Sequence, residues 1–176
     1  MELLGMNLQT IAYIESENEF GRAKAKGFWQ GIFGLVTRRA TQLRSFAEAV
    51  ETLQPYQTTK LGLQDIPLKN IVGTVGREKD FNCCFLPRTS NVIGKERWRS
   101  IYTLAVIGEG FPPVEVYKIG QTYFVEDGHH RVSVARHLAW DTIQASVIEV
   151  SAPVIDRDSS NDQFNLSNGV ELCTQS

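Results

Sequence analysis

Asp127, Gly128, His129, His130 and Arg131 are consecutive, and four of the five carry side chains that can bind anions or move protons. What such residues do depends on the backbone beneath them. Tyr123 to Val125 is aromatic and β-branched and reads as a buried strand. Past Gly128 a helical pattern begins, with Val132, Ala135 and Ala139 on one stripe and Val134 and Leu138 beside it. A second apolar strand, Ile143 to Val150, closes the unit. The five residues therefore lie at a strand–turn–helix junction. Gly128 has no Cβ, so the chain there can take a positive φ or press against a ligand. The first N–H groups of the following helix lack intrahelical partners and carry the positive end of its dipole. Such a turn suits an anion, and Arg131 adds a permanently charged planar fork. A surface turn whose arginine pairs with a nearby carboxylate would have the same residues, and the sequence leaves both readings open.

Other elements must position that turn. Leu3 to Ile14 reads as a short strand or as the start of a helix. Ser16 and Glu19 have capping-box spacing, which predicts a helix from about Glu17 carrying the apolar stripe Phe28, Ile32, Leu35 and Val36. Ser45 and Glu48 repeat that spacing ahead of a second helix, Phe46 to Leu53, which Pro55 ends; Gln54 to Gly62 then reads as a linker. Asp65 to Leu68 is a short edge-type strand, since Pro67 cannot donate to a ladder. Arg77 to Phe81 is a charged loop able to approach the turn. Lys95 to Ile107 is an amphipathic helix with Trp98, Ile101, Tyr102, Ala105 and Val106 inward. Two strands, Pro113 to Ile119 and Thr122 to Glu126, form a hairpin around Gly120-Gln121. Beyond Pro153 the chain is polar and acidic and reads as disordered.

Set between a strand and a helix, Asp127-Gly128-His129-His130-Arg131 resembles the signature turn of the ParB/sulfiredoxin superfamily, whose members carry Gly-x-x-Arg or Gly-x-His-Arg there. The resemblance covers Leu63 to Val150, about half of the chain. It implies an α+β fold, a small mixed sheet with packed helices, preceded here by an N-terminal helical pair. The expected organisation is an N-terminal helical extension at 1–62, a ParB/sulfiredoxin-like domain at 63–152 and a tail at 153–176. It also implies binding of a nucleoside di- or triphosphate (ATP, ADP or CTP). Asp127, Gly128, His129, His130, Arg131 and Arg77 would hold the phosphates, together with a Mg2+ ion carried in by them, which needs few protein ligands. His129 or His130 would pass a proton to a transferring phosphoryl group, and Asp80 is a candidate general base, as in a serine kinase of the superfamily. A solvated loop is the plainer reading of Arg77 and Asp80. Adjacent histidines point about 100° apart on a helix, unlike the i, i+4 spacing of metal ligands, so a dedicated zinc or iron site is not expected.

Sulfiredoxin places a nucleophilic cysteine between the glycine and the His-Arg pair, where this chain has His129. Full ParB partition proteins append DNA-reading and dimerisation domains, for which the tail here is short. A DNA-binding or nuclease module remains the alternative class, and an interaction protein with a degenerate site is a third. Net charge is only −2, but it is unevenly placed. Residues 1–19 hold Glu2, Glu15, Glu17 and Glu19 without a base; residues 20–44 hold Arg22, Lys24, Lys26, Arg38, Arg39 and Arg44 without an acid. That basic stretch favours the DNA reading, and the intact turn favours the nucleotide. No run approaches the ~18 apolar residues of a membrane span, and the amino terminus lacks a signal-peptide pattern. A cytoplasmic protein with reduced thiols is expected. The oligomeric state stays open.

Three cysteines, Cys83, Cys84 and Cys173, form neither a disulfide framework nor a zinc pattern. Replacing all three by alanine is expected to leave nucleotide binding and any turnover in place. Loss of either in a triple variant that keeps its circular dichroism spectrum would reveal thiol chemistry.

Overall fold

The computed structural model describes residues 7–36, 42–83, 85, 86, 88 and 92–153, without the side chains of 30–36. Its elements are helix α1 (Leu8–Val36), strand β1 (Arg44–Ser45), helix α2 (Phe46–Glu51), strand β2 (Gln57–Pro67) and a 3-10 turn at Leu68–Asn70. Strand β3 (Ile71–Thr74), helix α3 (Val92–Val106), strands β4 (Val114–Ile119) and β5 (Thr122–Asp127), helix α4 (His129–His137) and strand β6 (Thr142–Ser151) follow. One six-stranded mixed sheet has the order β1-β3-β5-β4-β6-β2. The expected α+β architecture, a small mixed sheet with packed helices, is present.

Hydrophobic alternation places the core. In β6, Ile143, Ala145, Val147 and Val150 are buried while Thr142, Gln144 and Ser146 face water. Ile143, Ala145 and Val147 meet Val114 and Val116 of β4 and Val132 and Ala135 of α4. A second layer joins Phe20 and Ala23 of α1, Trp98 and Tyr102 of α3, and Val134 of α4. There the fully buried Trp98 donates its indole N–H to Ser133 Oγ at 3.0 Å, satisfying the polar edge of a core ring. Register in the β4–β5 hairpin runs Ile119↔Thr122, so Gly120-Gln121 is the expected two-residue turn, with Gly120 at φ 58°.

Several boundaries differ from the sequence reading. Helix α1 begins at Leu8, where Asn7 Oδ1 accepts Gln9 N–H at 2.5 Å, so the expected start near Glu17 is corrected. Ser16 is already inside the helix and receives Arg99 Nε at 3.0 Å. The face α1 buries is Ala12, Ser16, Phe20, Ala23 and Gly27, small enough for close packing, whereas Phe28 is 65% exposed. Ile32, Leu35 and Val36 lie outside the described side chains. Gln57 to Gly62 is strand, not linker. Pairing to β6 along almost its whole length supplies the ladder that residue types alone did not signal, and a bulge falls between Lys60 and Gly62. The expected boundary at residue 62 thus falls inside β2, and β1 also joins the sheet. Val106, expected inward, is 44% exposed as α3 runs out. Residues 154–176, and with them the expected tail, lie outside the described residues. Among the described residues no helix is long and apolar enough to cross a membrane.

Among the described glycines the tightest backbone approach lies at Gly73, where β1 runs beside β3. A Cβ there would sit 2.3 Å from the Arg44 carbonyl oxygen and 2.5 Å from a Phe124 ring carbon. Gly73→Ala is expected to cost about 1–3 kcal/mol or more, read as a lowered midpoint in urea unfolding. An unchanged midpoint would mean that β1 is not held against β3.

Candidate functional site

The candidate turn is built by the end of β5 and the start of α4. Gly128 caps the helix at φ 100°, and its carbonyl accepts Val132 N–H at 3.0 Å, the first helical bond. Any Cβ at Gly128 would lie 2.6 Å from Val114 Cγ1 and 3.0 Å from Arg131 Nε. Positive φ and lack of space therefore both demand glycine here.

His129 and His130 turn inward, at 3% and 9% exposure. Nε2 of His129 lies 2.6 Å from Thr74 Oγ1, a hydroxyl that also donates to the Val125 carbonyl at 3.2 Å. Its ring stacks on Phe81 with centroids 4.8 Å apart and 17° between planes, and Phe85 covers it from 5.9 Å. The His130 ring meets the edge of Phe81 at 5.4 Å. Its Nδ1 is buried without a hydrogen-bond partner. Burial, seconded by the Arg77 charge, pushes the His129 pKa down to about 4. Burial, then Arg97 and Arg77, does the same to His130, also to about 4. Both rings are neutral at pH 7.

Arg131 is committed within the chain. Nη1 donates to the carbonyls of Pro112 at 2.9 Å and Pro113 at 2.5 Å, and Nη2 pairs with the Asp127 carboxylate. Asp127 thus holds Arg131 instead of capping α4. Arg77 donates through Nε to Asp80 at 3.0 Å and lies over the Phe81 ring at 4.9 Å.

These groups line one cleft of about 400 Å³, walled by Arg77, Arg97, Ile101, Leu104, Phe111 and Pro112 together with residues 127–131. The fold thus brings together every expected phosphate-binding residue: Asp127, Gly128, His129, His130, Arg131 and Arg77. Asp80 does not line the cleft and reaches it only through Arg77. Three guanidiniums (Arg77, Arg97 and Arg131) against Asp127 on the wall and Asp80 paired with Arg77 leave a net charge of +1 (3 − 2) at the cleft while the histidines are neutral. A second hollow of about 270 Å³ between α1 and α4 includes Arg136 and His137, but both are engaged. Arg136 donates to the carbonyls of Cys83, Leu68 and Ile71, and His137 pairs with Glu19 at 2.8 Å. Among the described residues no group of three or more His, Cys, Asp or Glu is placed to hold a metal ion.

Sequence reasoning missed Thr74 and Arg97. Nothing in its type marks Thr74, which matters because β3 lies parallel to β5 and brings it under the turn. Arg97 carried a usable signal: with Ile101 and Leu104 it occupies one face of α3, a cation on an apolar stripe.

Neither a family model nor a curated protein matches the chain. Among solved structures, the crystal structure of sulfiredoxin from Arabidopsis thaliana is similar at 21% identity, over 48% of this chain and 82% of that one, with a TM-score of 0.33. The likeness concerns fold alone, and at that TM-score it carries no argument about what the cleft binds.

The buried histidines make stability depend on pH. Their folded pKa values lie below that of a free imidazole, near 6.5, so between about pH 6.5 and 4 the unfolded chain takes up more protons. Stability is expected to be complete above pH 6.5, to fall as the pH drops through that window, and to level off with respect to these groups below about 4. Ring-proton NMR titration checks the cause, with expected midpoints near 4 for both residues. Midpoints near 6.5 would show open, solvated rings.

Proposed function

We propose that the cleft binds the phosphate groups of a nucleoside di- or triphosphate: ATP, ADP or CTP. The observation that carries this reading is the unpartnered, buried Nδ1 of His130 in a cleft of net positive charge at the start of α4. A buried polar atom without a partner costs free energy, so its retention beside three arginines fits a ligand that completes it. Phosphate oxygens meet the requirement: they accept from Nδ1–H, from the first helical N–H groups and from Arg77 and Arg97. The wall of Ile101, Leu104 and Phe111 offers an apolar face for the base. A magnesium ion arriving with the phosphates would meet Asp127, sharing its carboxylate with Arg131.

Within this reading the side chains divide the work. Arg77 and Arg97, both exposed, are the cations that meet phosphate. Arg131 is a positioning residue, tying the Pro112-Pro113 segment to the turn. If hydrolysis or phosphoryl transfer follows binding, His130 is the proton carrier, because His129 is committed to Thr74.

DNA binding, the other class, rests on a basic stretch whose Arg38 and Arg39 lie outside the described residues. Calorimetric titration with ATP, ADP and CTP, with and without Mg2+, and with a short DNA duplex at two salt concentrations, separates the two. Arg97→Ala is expected to weaken nucleotide binding by about tenfold, the value of one charge-assisted contact. Arg131→Ala is expected to cost at least as much, because it also frees Asp127 and the Pro112-Pro113 segment; Arg131→Lys should recover only part. Nucleotide binding that is absent, or unchanged in Arg97→Ala, sinks the proposal. Steeply salt-dependent duplex binding alone would assign the protein to the DNA class.

A further inference from the structure

Helix α1 has two apolar faces, and among the described residues only one of them is packed. The face carrying Ala12, Ser16, Phe20 and Ala23 is buried on the body of the protein. On the opposite side Ile11, Ile14, Asn18, Gly21, Ala25 and Phe28 alternate at spacings of three and four, the a/d pattern of a helix–helix seam. All six are exposed; Ile11, Ile14 and Phe28 stand at 39%, 56% and 65%. Among the described residues nothing lies within 4 Å of where a Cβ on Gly21 would be, so the middle of the stripe is open to close approach by another helix.

Charge along α1 identifies that helix. Its acids, Glu15, Glu17 and Glu19, all precede its bases, Arg22, Lys24 and Lys26. A second α1 alongside in the same direction would bring only Glu17 against an opposite charge, the partner's Arg22, and would otherwise level acid with acid and base with base. Reversed, it sets each acidic half against a basic half and also opposes the two helix dipoles.

We propose that the protein self-associates as a two-fold symmetric dimer through the outer face of α1, the two helices antiparallel and centred between Asn18 and Gly21. Ile11 then packs against the partner's Phe28 and Ile14 against the partner's Ala25. Glu15, flanking the seam, faces the partner's Arg22, whose own side chain is 74% exposed and paired within its chain with Glu19. Such an interface is isologous, so each contact occurs twice. One helix pair is small for a stable complex, which puts the expected dissociation constant on the order of micromolar.

Sedimentation velocity of the full chain across the micromolar range tests this. The parent should show a concentration-dependent monomer–dimer equilibrium, and Ile14→Asp should be monomeric throughout with its circular dichroism unchanged. Glu15→Arg and Arg22→Glu should each weaken the dimer by roughly tenfold, as two exposed ion pairs become repulsions. The double variant E15R/R22E should regain parental affinity, and the two single variants mixed together should associate better than either alone. A parallel pair would not be rescued, because Glu17 would then face the reversed residue 22. A parent that stays monomeric, or a double variant no tighter than the singles, overturns the proposal. Recruitment of a monomeric parent to anionic vesicles would likewise overturn it and assign the face to a lipid surface.

Discussion

The close seating of the β5–α4 turn on β4 governs the rest of this structure. Gly128 permits it: at φ 100°, with Val114 and Arg131 occupying the space of a missing side chain, the chain reverses within one residue and starts a helix. From that point α4 has little freedom. At one end Arg131 holds the segment entering β4. Toward the other, Arg136 donates to three carbonyls around the 3-10 turn and the Cys83 loop, and its guanidinium lies over Phe85. Hydrogen bonds from charged donors are stronger than neutral ones, and each of these spans many residues of sequence. One short helix thereby ties down both the Pro112-Pro113 segment at the cleft wall and the Cys83 loop.

The same seating decides the electrostatics of the cleft. Two histidines drawn under Phe81 and Phe85 lose their hydration, and neutral rings are the cheaper state. Positive charge then comes from arginines, which burial at the cleft wall cannot neutralise. Asp127 offsets one of them and Asp80 engages another. What remains is a moderate positive field at the start of α4.

Helix α1 shows how burial and exposure can share one element. Glu17 reaches Arg99 at 3.2 Å, and Glu19 meets His137, which holds the Glu19 carboxyl below its usual range. These ties dock the helix on α3 and α4 by its small-residue face. Docking of that kind leaves the large apolar side chains of the outer face in water, where an isolated chain gains nothing from them.

Much of the cleft was legible in the sequence because its signals are local. Glycine before His-His-Arg, an apolar run on one side and a helical stripe on the other require no knowledge of distant residues to mark a strand–turn–helix junction. The α+β class and the β4–β5 hairpin were readable for the same reason, since periodicity and turn chemistry act over a few residues. Tertiary structure alone decided three matters. Polar, glycine-containing residues 57–62 became strand because β6 offered an edge to pair with. Thr74 came under His129 and Arg97 onto the cleft wall because parallel pairing and helix packing carried them there from 55 and 32 residues away from His129 (129 − 74 and 129 − 97). Arg131, whose charge the sequence showed plainly, was assigned to Asp127 and two proline carbonyls by geometry, because only the folded chain sets which acceptors lie within its reach.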